Sequence, residues 1–126
     1  VFYLTKALLP VLSKSRDARI VFISSSVGRV SRAYWGAYAV SKFAIEGLMQ
    51  TLADELENTS NIRVNSLNPG AVSTKMRQAA YPAEDPGLQP CPESLMPIYL
   101  YLLSSEAKTL HGQTLNARGF NPQTQR

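Results

Sequence analysis

Tyr38 and Lys42 stand four residues apart, and Ser25 lies 13 residues before the tyrosine. A phenol, an ammonium and a hydroxyl make a set able to move a proton. A free tyrosine is a poor acid or base at neutral pH. On a helix, a spacing of four places two side chains on one face, one turn apart. An ammonium about 5 Å away, at an effective dielectric of about 20, favours the phenolate by about 3 kcal/mol. That moves the hydroxyl toward the working range of a general acid or base. A serine hydroxyl nearby could bind a substrate oxygen and stabilise charge building on it. Taken alone, the Tyr-x-x-x-Lys pair better fits a partly buried tyrosine beside a snorkelling lysine. Six Tyr and five Lys in 126 residues give about a quarter of such a pair by chance.

The elements that must position these groups can be read from hydrophobic periodicity. Residues 37–57 form the strongest helix pattern, with Tyr38, Ser41, Lys42, Ile45, Leu48, Met49, Leu52 and Leu56 on one broad face. The run from Arg19 to Ser26 is apolar and β-branched before it ends in three serines, which fits a strand covered on both faces. Residues 62–67 repeat that character and close on Asn68-Pro69-Gly70, a strong turn signal. Helical spacing also marks residues 1–14, where Pro10 is expected to bend or end the helix, and residues 94–105. Residues 70–92, with four prolines after Gly70, read as a long loop. Residues 112–117 read as a weak last strand, and the residues after Gly119 as a polar, frayed tail. Alternating helices and strands of this kind build an α/β domain with a parallel sheet. Ligands of such sheets bind outside the carboxyl ends of the strands. Here those ends are Ser24–Ser26 and Asn68–Gly70.

The composition narrows the function classes. Hydrophobic residues make up 44% and charged residues 17%, which excludes a disordered tail or a coiled-coil rod. The net charge is +4, with the basic residues scattered rather than striped, so no nucleic-acid partner is expected. No apolar run approaches the roughly 20 residues of a membrane span, so no membrane partner is expected either. The one cysteine, Cys91, excludes an internal disulfide framework and is read as inert; a cytoplasmic setting is expected. The one histidine, His111, excludes a multi-histidine metal site and is assigned a surface or loop role. Glu84 and Asp85 are read as solvated loop acids, so no metal is expected.

Three blocks, taken together, carry a family resemblance. They are Ile23-Ser24-Ser25-Ser26-Val27-Gly28, then Tyr38-Ala39-Val40-Ser41-Lys42, then Ile62-Arg63-Val64-Asn65-Ser66-Leu67-Asn68-Pro69-Gly70. In order and spacing they resemble the short-chain dehydrogenase/reductase family. Ser24–Arg29, Trp35–Tyr38 and Pro82–Pro86 are worded most like a bacterial branch of it. The resemblance implies the C-terminal half of a Rossmann-type doubly wound parallel sheet, with residues 1–126 as an incomplete NAD(P)-binding domain. It implies Tyr38 as catalytic acid/base, Lys42 as its modulator and a ligand of the nicotinamide ribose, and Ser25 as the group that polarises the substrate oxygen. Ser24 and Ser26 are alternates for that contact. Pro69 and Gly70 would flank the nicotinamide, Val72 would meet its carboxamide through the backbone, and Thr74 would contact the amide or phosphates. The cofactor implied is NAD or NADP, the substrate a small alcohol or carbonyl compound, and the reaction a reversible hydride transfer.

The family's glycine-rich phosphate turn does not occur among residues 1–126. The glycines stand at 28, 36, 47, 70, 87, 112 and 119, without a Gly-x-Gly-x-x-Gly pattern. The residue choosing between NAD and NADP, the Asn-Ala-Gly segment and the family's catalytic asparagine are likewise absent. Val1 already lies within a helical rhythm, so the chain is expected to be a piece that does not turn over by itself. When intact, the protein is expected to form a homodimer or homotetramer. The alternative is a non-catalytic dimerisation module acting through Leu8, Leu12, Leu48, Leu52 and Leu56.

Overall fold

The β-branched run forms strand β1, Ala18–Ile23, in the computed structural model, which describes residues 1–122. Strand β2, Ile62–Asn68, pairs with it in parallel, from Ala18 opposite Ile62 to Ile23 opposite Leu67. Strand β3, Thr114–Asn116, lies parallel on the other side of β2, giving the order β1-β2-β3. The parallel α/β architecture expected from the sequence is therefore present. β3 is shorter than the expected 112–117, and Gly112 turns at a φ of 65° two residues before it begins.

Helix α1 spans Phe2–Leu12 and α2 spans Gly36–Leu56. Pro10 lies inside α1, which ends two residues later, as a missing N–H and a ring clash with the preceding turn would favour. Between β2 and β3 come α3, Lys75–Ala80, and α4, Met96–Leu103. The segment 70–92 is thus not an unstructured loop. Thr74 accepts the N–H of Arg77 and starts α3, and short turns at Pro86–Leu88 and Pro92–Leu95 take up the prolines at their first positions.

Strand alternation divides the core between the two faces of the sheet. On one face Ala18, Phe22, Ile62 and Val64 pack on Met49, Leu52 and Ala53 of α2, with Leu9 and Leu12 of α1 behind. On the other, Leu67 packs with Ile98 and Leu102 of α4, Ala107 and Leu110. At roughly 1.5–3 kcal/mol for each fully buried aliphatic side chain, these two clusters hold the strands in register.

Several expectations need correction. Leu52 is buried in the core and Leu48 and Leu56 pack against it, so they do not form a free dimerisation face. The buried stripe of α2 runs through Ala39, Glu46, Met49, Leu52 and Ala53, while Tyr38 and Ser41 lie toward its edge. His111 lies in the loop before β3, as expected, but it is a half-buried pin rather than a surface residue. Its Nδ1 accepts the Val64 N–H at 3.2 Å, which leaves Nε2 to donate to the Ala53 carbonyl at 2.8 Å, joining β2 to α2. Phe120 packs on Tyr101 with ring centroids 5.3 Å apart, so the tail is anchored there. The rest of the expected frayed tail, residues 123–126, lies outside the described residues. Among the described residues, no helix is long and apolar enough to cross a membrane, and no three His, Cys, Asp or Glu side chains gather to hold a metal ion.

Candidate active site

The carboxyl ends of β1 and β2 lie side by side. The Ser24 N–H donates to the Leu67 carbonyl at 2.8 Å, extending the ladder one step past β1. Ser25 follows in extended conformation, beyond the last paired residues Ile23 and Leu67. The chain then makes a single 3-10 turn, Ser26–Gly28, which presses on α2. Gly28 makes this approach possible. A Cβ there would lie 2.8 Å from the carbonyl oxygen of Lys42, closer than side chains tolerate.

Lys42 reaches back across the same junction. Its Nζ donates to the Ile23 carbonyl at 2.9 Å and lies 5.6 Å from the centroid of the Tyr38 ring. The lysine is thus held by the strand end two residues before Ser25 and lies beside the tyrosine one helical turn away. Lys42 thus joins the Tyr38 ring to the end of β1, and Ser25 follows two residues after the carbonyl it holds. The Tyr38 side is open, with 37% of the residue exposed. Of the alternates to Ser25, Ser26 is exposed, while Ser24 is buried with a hydroxyl that has no hydrogen-bond partner among the described residues.

The second strand end supplies the rest of the predicted set. Asn68 Oδ1 accepts the Gly70 N–H at 3.0 Å, and Gly70 adopts a φ of 77°, which glycine tolerates best. Val72 is half-buried, and the Ser73 N–H donates to the Pro90 carbonyl at 2.9 Å, tying this stretch to the turn beyond α3. The Thr74 hydroxyl is engaged as the cap of α3, yet a hydroxyl that accepts one bond still has a proton to donate.

Sequence reasoning missed a polar network behind this site. Glu46, 4% exposed, accepts from Ser66 Oγ at 2.8 Å, from Thr114 Oγ1 at 3.3 Å and from Arg29 Nε at 3.4 Å. Arg29 also donates to Asn116 Oδ1 at 3.0 Å and to the Leu115 carbonyl at 3.1 Å. Asn116 Oδ1 in turn accepts from Asn68 Nδ2 at 3.0 Å. A buried carboxylate surrounded by donors ties β2, the start of β3 and Arg29 of the segment after β1 to α2. Its signal was a charged residue in helical phase with Lys42, Met49 and Ala53. A cleft of about 460 Å³ opens beside this network, lined by Gly28, Arg29, Phe43, Glu46, Gly47 and Thr114. None of Ser25, Tyr38 or Lys42 lines it.

A second missed group lies on the Tyr38 side. Glu84 is not simply solvated. It takes both Arg77 Nε, at 2.6 Å, and Arg77 Nη2, at 2.7 Å, and accepts Gln89 Nε2 at 3.0 Å. The hydrogen bond from the Arg77 guanidinium holds the Glu84 carboxyl below the ordinary glutamate range. Asp85 accepts the Gly87 N–H at 2.9 Å and caps the next turn.

Comparison with known proteins fits this arrangement. Residues 1–85 match the family model described as short chain dehydrogenase. The uncharacterized oxidoreductase YciK of Escherichia coli K12 is 51% identical over 117 residues, covering 93% of this chain and 46% of the relative. A solved short chain dehydrogenase from Pseudomonas syringae superposes with a TM-score of 0.90 at 61% identity, over 93% of this chain and 47% of that one. A short chain dehydrogenase from Shigella flexneri 2a, solved in complex with NADP, superposes with a TM-score of 0.89 at 51% identity, over 93% and 48% of the two chains. The chain spans about half the length of these relatives.

Proposed function

Because this chain belongs to the short-chain dehydrogenase family, we propose that it carries the proton-transfer half of an NADP(H)-dependent oxidoreductase acting on an alcohol/carbonyl pair. The observation that carries the reading is the Lys42 ammonium, held between the strand-end carbonyl of Ile23 and the ring of Tyr38. Bound nicotinamide dinucleotide supplies or accepts the hydride.

The protein's own groups handle the proton. In the reductive direction the Tyr38 hydroxyl gives its proton to the carbonyl oxygen as that oxygen gains charge. Lys42 stabilises the phenolate left behind, and the Ser25 hydroxyl donates a hydrogen bond to the same substrate oxygen. Oxidation runs the same path backwards. The residues present suit the nucleotide. Among the described residues Lys42 Nζ donates one hydrogen bond, to Ile23, which leaves two hydrogens for a ribose, and the Thr74 hydroxyl accepts one bond and keeps its proton to donate. At Gly70 the missing Cβ leaves room for the Arg118 side chain, whose Nε would lie 3.2 Å from a Cβ, and so brings a guanidinium to this turn. The NADP complex of the Shigella relative supports NADP(H) as the form used. The exposed apolar side chains of α1 support assembly of the whole protein as a homodimer or homotetramer. The unpaired Cys91 suits a cytoplasmic setting.

The test is a joined protein in which the N-terminal half of the E. coli relative precedes Val1. NADPH oxidation with a panel of ketones and aldehydes should give turnover. Tyr38→Phe should lower it at least about 100-fold, the scale of a lost general acid, with the circular dichroism unchanged. Wild-type turnover in Tyr38→Phe would remove Tyr38 from the chemistry.

A further inference from the structure

We propose that Trp35 is a positioning residue for Tyr38, locked in place by a stack that runs from Glu84 through Arg77 and Tyr81. This rests on the reading of Tyr38 as proton donor. The stack is continuous. Glu84 grips the Arg77 guanidinium with both oxygens, at 2.6 and 2.7 Å, the two-pronged geometry that fixes its plane. The guanidinium carbon lies 3.6 Å from the centroid of the Tyr81 ring. Tyr81 meets Trp35 with centroids 6.1 Å apart, and Trp35 meets Tyr38 edge-on at 5.6 Å.

Two further features show that Trp35 is held rather than merely nearby. Its carbonyl accepts the Ala39 N–H at 2.7 Å, which anchors its backbone to the start of α2 while its ring contacts the segment carrying Tyr81. Its own N–H donates to the Arg32 carbonyl at 3.3 Å, closing the turn in which Tyr34 takes a φ of 68°. The Glu84 and Arg77 side chains are only 21% and 24% exposed, and the two-pronged contact between them sets the plane of the guanidinium that faces Tyr81. A tyrosine side chain has only two rotatable angles, so fixing the ring fixes the line along which its hydroxyl points. Lys42 and Trp35 both touch that ring, and Trp35 carries to it the position of α3 and the turn after it.

The experiment uses the joined protein and two readouts. Trp35 is the only tryptophan of this chain, so the emission that Trp35→Phe removes reports its surroundings. Steady-state kinetics report kcat and the KM for NADPH separately. Tyr81→Phe, which keeps the ring, should retain both the emission maximum and kcat. Tyr81→Leu and Arg77→Met should shift the emission to the red and lower kcat about tenfold, a modest misplacement of a reacting group, with the KM for NADPH unchanged. The proposal is overturned if Tyr81→Leu leaves the emission or kcat unmoved, or if Tyr81→Phe loses as much as Tyr81→Leu. It is also overturned if kcat falls only together with a weakened KM for NADPH and a lower melting temperature. Full turnover in Tyr38→Phe would refute the proton-donor reading instead, and the emission series would still test the stack.

Discussion

Each charged side chain near the candidate site has a different kind of partner, and the partner decides what the charge is for. Lys42 bonds a backbone carbonyl and keeps hydrogens to offer. Glu46 is buried among three donors and serves the architecture. Glu84 is half-buried against a guanidinium, and its carboxyl is held low by that hydrogen bond. A carboxyl whose folded value is depressed adds stability above its unfolded value, and loses it as the pH falls through the folded one. Acidification below the ordinary glutamate range, about 4.3, should therefore release Arg77 from Glu84. Titration of the Glu84 carboxyl followed by NMR should show a midpoint below that range, and Arg77→Met should return it there. An unchanged midpoint in Arg77→Met would assign the shift to another cause.

At the scale of elements, the site depends on how closely the turn after β1 packs on α2. Gly28 sets that distance, since a Cβ would press on the Lys42 carbonyl at 2.8 Å and the helix backbone cannot yield as a side chain tip can. Gly28→Ala should destabilise the joined protein by about 1–3 kcal/mol, the usual scale of overpacking, and should also reduce turnover by moving Ser25 away from Lys42. Urea denaturation and NADPH oxidation measure the two effects. Loss of stability with full turnover would show that the strand end tolerates the shift. α3 illustrates the same scale from the other side. It has six residues and no buried one, so its place comes from contacts at its two ends, Ser73 bonded to the Pro90 carbonyl and Tyr81 against Trp35, rather than from a core of its own.

The whole molecule has an open side. β1 pairs with β2 on one edge only among the described residues, and α1 buries none of its residues. Phe2, Leu4, Leu8 and Val11 are 44–65% exposed. An unpaired strand edge beside apolar side chains invites association. The 126-residue chain by itself should therefore scatter light as species larger than its 13.9 kDa mass and should not oxidise NADPH. The joined protein should be a discrete assembly with turnover. A monomeric, active 126-residue chain would contradict this account of the open side.

Local patterns were enough to determine the α/β alternation, the parallel strands, the long helix and the pairing of Tyr38 with Lys42. Each of these follows from periodicity over a few residues, and periodicity is a property of adjacent positions. The glycine at 70 and the asparagine at 68 were legible for the same reason, because a turn closes within its own residues. Whatever depended on distant partners was not legible. Glu46 is buried because Arg29, Ser66 and Thr114 converge on it from 17, 20 and 68 residues away. His111 becomes a pin only when Val64 and Ala53 come within reach. Leu52 reads as a possible contact face until β1 and β2 cover it. The segment 70–92 looked like a loop because prolines and small residues dominate its composition, while its order comes from the Arg77, Tyr81, Glu84 and Trp35 contacts. The burial of a charge or an aromatic ring is settled by what the folded chain brings to it, and only the tertiary structure decides that.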